Sequence, residues 1–374
     1  RTCNQKDMNL SPALQKAYTK DTMKAGDAQR LAEFIAWGPV IFQASRLMVK
    51  FGILDLLRDS EEGMTEQELV KATGLSAYAV KVLLEASLSA GTVIVNPETD
   101  RFSMTKTGFF LLTDKATRAN MDFNHDVNYE GWFRLEESLK EGRPAGLEHF
   151  GSWPTVYEGL SQLPEQVKKS WFGFDHFYSD SSFEEALKIV FDEHETKSLV
   201  DVGGNTGRWA MRCVGYSDDV RVTIMDLPQQ LEMMRSQTAG QKGADRIDGY
   251  GINLLDRNAA FPQDRHFDAI WMSQFLDCFS EDEILSILQR AVKAMDSGTR
   301  LYIMETFWDR QRYEAATLCL TMTSLYFTAI ANGNSKMYHS DAMERLVNKA
   351  GMKVERIYDI MGQGGHSIMV CTKE

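Results

Sequence analysis

The stretch Ser198-Leu199-Val200-Asp201-Val202-Gly203-Gly204-Asn205-Thr206-Gly207 joins residue types that suit cofactor chemistry. An apolar strand is expected to run into a glycine-rich turn that opens a helix. Glycines let the backbone take positive φ and approach a ligand closely. A second apolar run, Val220 to Met225, ends at Asp226, nineteen residues beyond Gly207. A carboxylate there can accept both hydroxyls of a ribose. The dinucleotide fingerprint is G-x-G-x-x-G, and Gly203-Gly204-x-x-Gly207 lacks its first glycine. The pattern therefore points to a ribose-bearing cofactor without a pyrophosphate. The bland alternative is an ordinary strand–turn–helix, which the spacing of Asp226 disfavours.

Strands near 197–203, 220–225, 247–252, 267–275 and 299–305 alternate with helical stretches. Such alternation predicts a parallel sheet with right-handed crossovers. The end differs. Lys353 to Ile360, a glycine turn at 362–365 and His366 to Thr372 read as a hairpin. Upstream, apolar residues from Leu31 to Leu57 recur at helical spacing, broken by Gly38-Pro39 and Gly52. Thr65 with Glu68 three residues on is a capping-box helix start, and a second helix covers Ala77 to Ala90. A turn at 96–100 then joins two short strands, completing a winged helix. Its second helix is apolar and carries one lysine, whereas a recognition helix presents polar and basic side chains to base edges. Packing and dimerisation are its expected use. Residues 118–190 read as a helical, aromatic-rich connector that walls a substrate pocket or packs the two halves.

The chain has 374 residues, 43% hydrophobic and 25% charged, which suits a globular protein of two domains with a large core. Its net charge of −12 gives a nucleic-acid role no global electrostatic support. Cys3, Cys213, Cys278, Cys319 and Cys371 are scattered, with no metal spacing or disulfide framework, so a reducing cytoplasm is the default. No N-terminal signal is visible, and no segment reads as long and apolar enough to span a bilayer. Most of the nineteen methionines are expected to fill core.

Taken in order, these pieces resemble the small-molecule O-methyltransferases that use S-adenosylmethionine, of the plant caffeate and flavonoid type with bacterial relatives. The resemblance runs from about residue 28 to the end. Thr65-Glu66-Gln67-Glu68-Leu69 and Phe102-Ser103-Met104-Thr105-Lys106-Thr107-Gly108 are similar to that family's dimerisation winged helix. Asp201 to Gly207 resembles its cofactor loop, Asp226-Leu227-Pro228 its ribose-binding turn, and Phe267-Asp268-Ala269-Ile270-Trp271-Met272 the strand before its catalytic loop. A parallel sheet closed by an antiparallel strand also suits a methyltransferase better than a dehydrogenase. By this resemblance Asp201, Gly203, Gly204 and Gly207 cradle the cofactor, Gly203 lying against its methionine part, and Asp226 with Leu227 holds the ribose. Asn253 and Leu254 fall where the family has Asp and Met or Phe beside adenine. Ser273 replaces a lysine near the cofactor carboxylate.

The catalytic position departs from the family. Its Leu-His-Asp-Trp-Ser-Asp-Glu becomes Leu276-Asp277-Cys278-Phe279-Ser280-Glu281-Asp282, so Asp277 falls on the general-base histidine. Glu305 matches the acidic residue that orients that histidine, and Met337 stands where a second acidic partner belongs. An exposed Asp titrates near 3.9 and is a poor base for a phenol near 10. Burial beside Glu305 raises one carboxyl, because two adjacent carboxylates resist double ionisation. Asp277 and Glu305 are therefore the catalytic candidates, as a coupled acid/base pair. The alternative makes Asp277 a solvated or helix-terminal residue, with Ser280 capping the helix at Glu281 in either case.

Three outcomes stay open: an already acidic acceptor such as an activated phenol or enol; another base among His125, His176, His339 and His366; or cofactor binding without methyl transfer. The competing classes are a decarboxylase or hydroxylase on this scaffold, a ligand-sensing transcriptional regulator, and a nicotinamide dehydrogenase. The reading adopted is a cytoplasmic, homodimeric enzyme. Residues 1–117 form a winged-helix dimerisation domain, 118–190 a connector, and 191–374 a Rossmann-like α/β domain with a mostly parallel seven-stranded sheet and antiparallel last strand. It binds S-adenosyl-L-methionine, methylates the oxygen of a small aromatic or polyketide-like molecule, and uses no metal, nucleic acid or membrane.

Overall fold

The structure is a computed structural model that describes residues 9–360 and 365–374. It forms two compact units. One is Asp21–Val127 with Lys169–Phe174; the other gathers the described residues up to Lys20, Asn128–Lys168 and the chain from Asp175 onward. The segment read as a connector is divided between them, because 118–127 and 169–174 pack with the first unit.

In the first unit, Gly38 and Pro39 open the helix Gly38–Lys50, and Gly52, in the left-handed region, caps Ile53–Arg58. Thr65 and Glu68 form the expected capping box on Glu66–Thr73: Glu68 accepts the Thr65 N–H at 2.9 Å, and Thr65 Oγ1 accepts the Glu68 N–H at 3.3 Å. Helix Ala77–Ala90 turns Val80 and Leu84 into a core with Met48, Leu54, Leu69 and Leu112. Strands β1 (Val93–Asn96) and β2 (Arg101–Met104) pair antiparallel as the wing.

The second unit is built on seven strands: β3 (Ser198–Val202), β4 (Arg221–Asp226), β5 (Ile247–Gly251), β6 (Ala269–Ser273), β7 (Arg300–Glu305), β8 (Met352–Asp359) and β9 (Ser367–Lys373). Their order is β5-β4-β3-β6-β7-β9-β8. The first five run parallel and β9 runs antiparallel between β7 and β8. The glycine turn expected before His366 falls mainly on 361–364, outside the described residues.

Successive side chains on a strand face opposite ways. Ile270, Met272, Leu301 and Ile303 enter one core with helices Glu281–Lys293 and Ser340–Lys349. Trp271, Tyr302 and Met304 enter the other with Phe183–Phe191 and Arg208–Tyr216. A sheet covered on both faces requires near-continuous apolar strands, which is why the sequence shows apolar runs rather than alternation. Asp226, Ser273 and Glu305 end β4, β6 and β7, so their side chains collect at the carboxyl edge of the parallel strands, where open α/β sheets bind ligands.

One expectation about length is corrected. The continuous helical stretch Glu314–Ala331 has 18 residues and a mean hydropathy of 1.2, enough by length and composition to cross a membrane. It is α-helical to Tyr326 and π-helical over Phe327–Ala331, and its last turn is buried in the second unit.

The central strand relies on Trp271, wholly buried and stacked on Trp209 with ring centroids 4.2 Å apart. Trp271→Ala should destabilise the protein by about 3–5 kcal/mol, read as a lower urea midpoint at unchanged slope.

Candidate active site

Backbone geometry shapes the cofactor side. Gly203 has φ +71° and donates its N–H to the Met225 carbonyl at 2.8 Å, tying the loop to the end of β4. A Cβ on Gly203 would lie 2.5 Å from the Phe275 ring, and one on Gly204 would lie 2.6 Å from Asp201 Oδ2. Both positions are closed to any side chain. Gly207, at φ +83°, caps Arg208–Tyr216 without a side-chain acceptor, which leaves the first amides of that helix open.

Asp226 accepts two backbone bonds, from Asn205 N–H at 2.9 Å and Leu227 N–H at 2.8 Å. Burial raises its carboxyl and these two amides hold it down. Asp201 is 3% exposed, and its Oδ2 has no hydrogen-bond partner among the described residues. Burial first, and Asp226 second, push its carboxyl up to about 8. At the far edge, Asn253 is exposed with Oδ1 accepting Leu255 N–H at 3.0 Å, and Leu254 is buried in the core. Ser273 is half-buried at the end of β6.

The catalytic position sits on a single 3-10 turn, Leu276–Cys278. Gln274 reaches it through a left-handed backbone, φ +44°, a conformation unusual for any residue but glycine. Asp277 is 8% exposed, neither solvated nor a helix cap. Burial is the first cause that raises its carboxyl to about 7, and the Asp175 carboxylate adds to it. The Cys278 thiol contacts Asp277 Oδ1 at 3.5 Å and opposes the rise. Glu305, also buried, accepts the N–H groups of Phe275, Leu276 and Asp277 on Oε1 at 3.2, 3.1 and 3.4 Å. Its Oε2 is buried without a partner among the described residues. Burial and the nearby Asp277 raise its carboxyl well above the usual range, against the pull of the three amides.

Other tethers were not visible in the sequence. Asn332, just past the π-helical turn, donates to the Cys278 carbonyl at 2.9 Å, and Tyr338 donates to the Phe279 carbonyl at 2.6 Å. Met337 is buried where the family's second acid belongs, with its N–H on Ser324 Oγ. Ser280 caps the following helix in a full capping box with Glu283. The Tyr157 phenol is fully buried, faces the Cys278 thiol and lacks a well-formed hydrogen bond.

His125 belongs to the first unit and pairs with Asp126 at 2.7 Å; His176 is on helix Glu165–Asp180. His339 accepts Asp341 N–H as a helix cap and meets the Asn9 carbonyl at 2.7 Å. His366 is buried and pushed down to about 4 by burial alone, so it is neutral with no charged group acting on it.

Residues 132–353 match the O-methyltransferase domain family, and residues 29–102 match a Dimerisation2-like domain. The chain belongs to the O-methyltransferase family. It is an S-adenosylmethionine-dependent methyltransferase. It is 24% identical over 321 residues to the mitomycin biosynthesis 6-O-methyltransferase of Streptomyces lavendulae, spanning 84% of this chain and 86% of the relative. It is also 24% identical over 334 residues to the 3-amino-4-hydroxybenzoate 4-O-methyltransferase of Streptomyces cremeus, spanning 88% and 86%. Among solved structures, the S-adenosylmethionine-dependent methyltransferase SibL superposes with a TM-score of 0.70 at 20% identity, covering 91% of this chain and 98% of SibL. That likeness establishes the class I methyltransferase fold.

The glycine cradle and the unpartnered Asp201 oxygen fit a ligand with donor groups, as this cofactor is. Without a ligand they are costly. An unfolded carboxyl has lost its proton above about pH 5, whereas folded Asp201 keeps its own up to about 8. The contribution of Asp201 to stability therefore falls as pH rises between those values. Asp201→Asn should flatten that fall and make the ligand-free protein about 1–3 kcal/mol more stable than wild type at pH 8, while weakening cofactor binding. Urea unfolding at pH 6 and 8, with calorimetric titration of the cofactor, reads both.

Proposed function

We propose that this chain methylates a hydroxyl oxygen of a small aromatic acceptor, with Asp277 as the base and Glu305 as the residue that positions it. The observation that carries this reading is the buried 3-10 turn. It presents one carboxyl, raised to about 7 by burial, and is fastened by three amides to Glu305 Oε1. Near that value a carboxylate is poised to accept a phenolic proton during transfer. The cofactor supplies an electrophilic methyl. On the protein side, the Gly203–Gly207 loop and Asp201 receive its amino-acid end, Asp226 and Leu227 its ribose, and Asn253 and Leu254 its adenine. At Ser273 a hydroxyl takes the place of the family's lysine. The Tyr157 phenol offers a buried polar contact beside Asp277 for orienting the acceptor. The mitomycin and aminohydroxybenzoate enzymes act on natural products of the sort their names state, which supports an aromatic acceptor.

We also propose that the first unit makes a homodimer. Its dimerisation-type sequence exposes Ile35, Trp37 and Val40 at 70%, 63% and 54%, an apolar strip that isolated monomers seldom carry.

Asp277→Asn should lower kcat by about 10²–10⁴-fold. In wild type, kcat/KM for the cofactor should rise with pH through about 7 and then level, because the base must lose its proton. A panel of phenolic acceptors with labelled methyl donor measures both; full activity in the Asn variant would remove Asp277 from this role. Ile35→Glu with Val40→Glu should convert the dimer to monomer by light scattering.

A further inference from the structure

Asp277 and Glu305 share an electrostatic peculiarity. Both are buried, and one oxygen of Glu305 has no hydrogen-bond partner among the described residues. Neither forms an ion pair with a lysine, arginine or histidine among the described residues. The titratable groups that act on them are the Cys278 thiol, the Tyr157 and Tyr338 phenols and the Asp175 carboxyl, all neutral or acidic. Among the described residues the pair is thus a buried acidic cluster with no cationic partner. At Ser273 a neutral hydroxyl replaces the family's lysine.

The methyl donor carries a positive sulfonium, and the demethylated product, S-adenosylhomocysteine, carries a neutral thioether. All other groups of the two molecules are the same. We propose that the Asp277–Glu305 pair is the counter-charge of the sulfonium: it gives up one proton to solvent when the methyl donor binds, and takes none from solvent when the product leaves. This rests on Asp277 lying beside the transferred methyl, as in the reading above.

The charge balance closes. The overall reaction converts a sulfonium and a neutral hydroxyl into a thioether, a methyl ether and one proton. If the pair ionises as the donor binds, that proton reaches solvent before the acceptor enters. During transfer, the acceptor oxygen bonds to the methyl carbon while the carbon–sulfur bond breaks, its electron pair staying on sulfur. The hydroxyl proton passes to the Asp277–Glu305 carboxylate. One positive and one negative charge vanish together, so the buried site stays neutral from binding to product release. No proton path to solvent is needed while the site is closed. A histidine beside an acid also keeps the site neutral, but it ends as a charged pair that must still lose its proton to solvent, whereas the carboxyl pair ends uncharged.

An opposite charge within ~4–6 Å lowers a carboxyl by about 1–3 pH units, enough to move the pair from mainly protonated to mainly ionised near pH 6.5. The test is calorimetric titration of the wild-type protein at pH 6.5, below the ~7.7 titration of an α-amino group. Buffers of different ionisation enthalpy count the protons. S-adenosylmethionine should release about 0.5–1 proton more than S-adenosylhomocysteine. The excess should vanish in the Asp277→Asn, Glu305→Gln double variant. In that variant the Gln carbonyl still accepts the three loop amides, and retained S-adenosylhomocysteine binding reports an intact fold. Equal proton counts in wild type overturn the proposal, as does an excess that survives in the double variant or failure of the methyl donor to bind. Equal counts together with an inactive Asp277→Asn would leave the base in place and remove only its role as counter-charge.

Discussion

The site depends on one acceptor atom, Glu305 Oε1. It stands at the end of β7 and takes three consecutive amides from the loop that follows β6. Those amides open a short 3-10 turn and have no partners within it. Through them the turn is pinned to the sheet, Asp277 is held at a fixed depth, and the Phe275 ring is held against Gly203. One carboxylate oxygen thus joins the loop that carries Asp277 to the glycine-rich loop after β3. Asn332 and Tyr338 hold the following carbonyls from the opposite side, so the turn is fixed from both directions.

This arrangement is bought with stability. Asp201, Asp277 and Glu305 are all buried acids without cationic partners among the described residues, and each ionises less readily than it would in water. Burying a charge that nothing neutralises is among the costliest acts in a protein interior. The compensation lies in the two apolar cores that clamp the sheet, one of which holds the Trp209–Trp271 stack. Function sits on the carboxyl edge, and the apolar faces below keep that edge rigid.

Much of the fold was legible because its signals are local. Capping at Thr65 and Ser280, the breaks at Gly38 and Gly52, the strand alternation and the antiparallel final strand all follow from short-range chemistry. The glycine loop and Asp226 were legible for the same reason. The division of residues 118–190 was not, since it depends on which distant surfaces the segment meets. Nor was the role of Asn332, which only a π-helical turn brings to Cys278. The helical stretch Glu314–Ala331 misled in another way: a partly buried apolar helix meets the same composition test as a membrane span.

The exchange of histidine for aspartate at 277 changes the charge bookkeeping of the site rather than its geometry. A neutral histidine beside an acid begins with one negative charge on the acid and ends, after taking a proton, with a positive ring facing it. Two carboxyls sharing a proton begin as one negative unit opposite the sulfonium and end neutral opposite the thioether. The buried position of Asp277 suits the second scheme, because a lone aspartate in water would titrate near 3.9, against about 7 here. The Cys278 thiol contacts Asp277 only at Oδ1. The substituted residue and its hydrophobic surroundings therefore have to be read together: in the proposed role, aspartate can serve as a base only because water is kept from it.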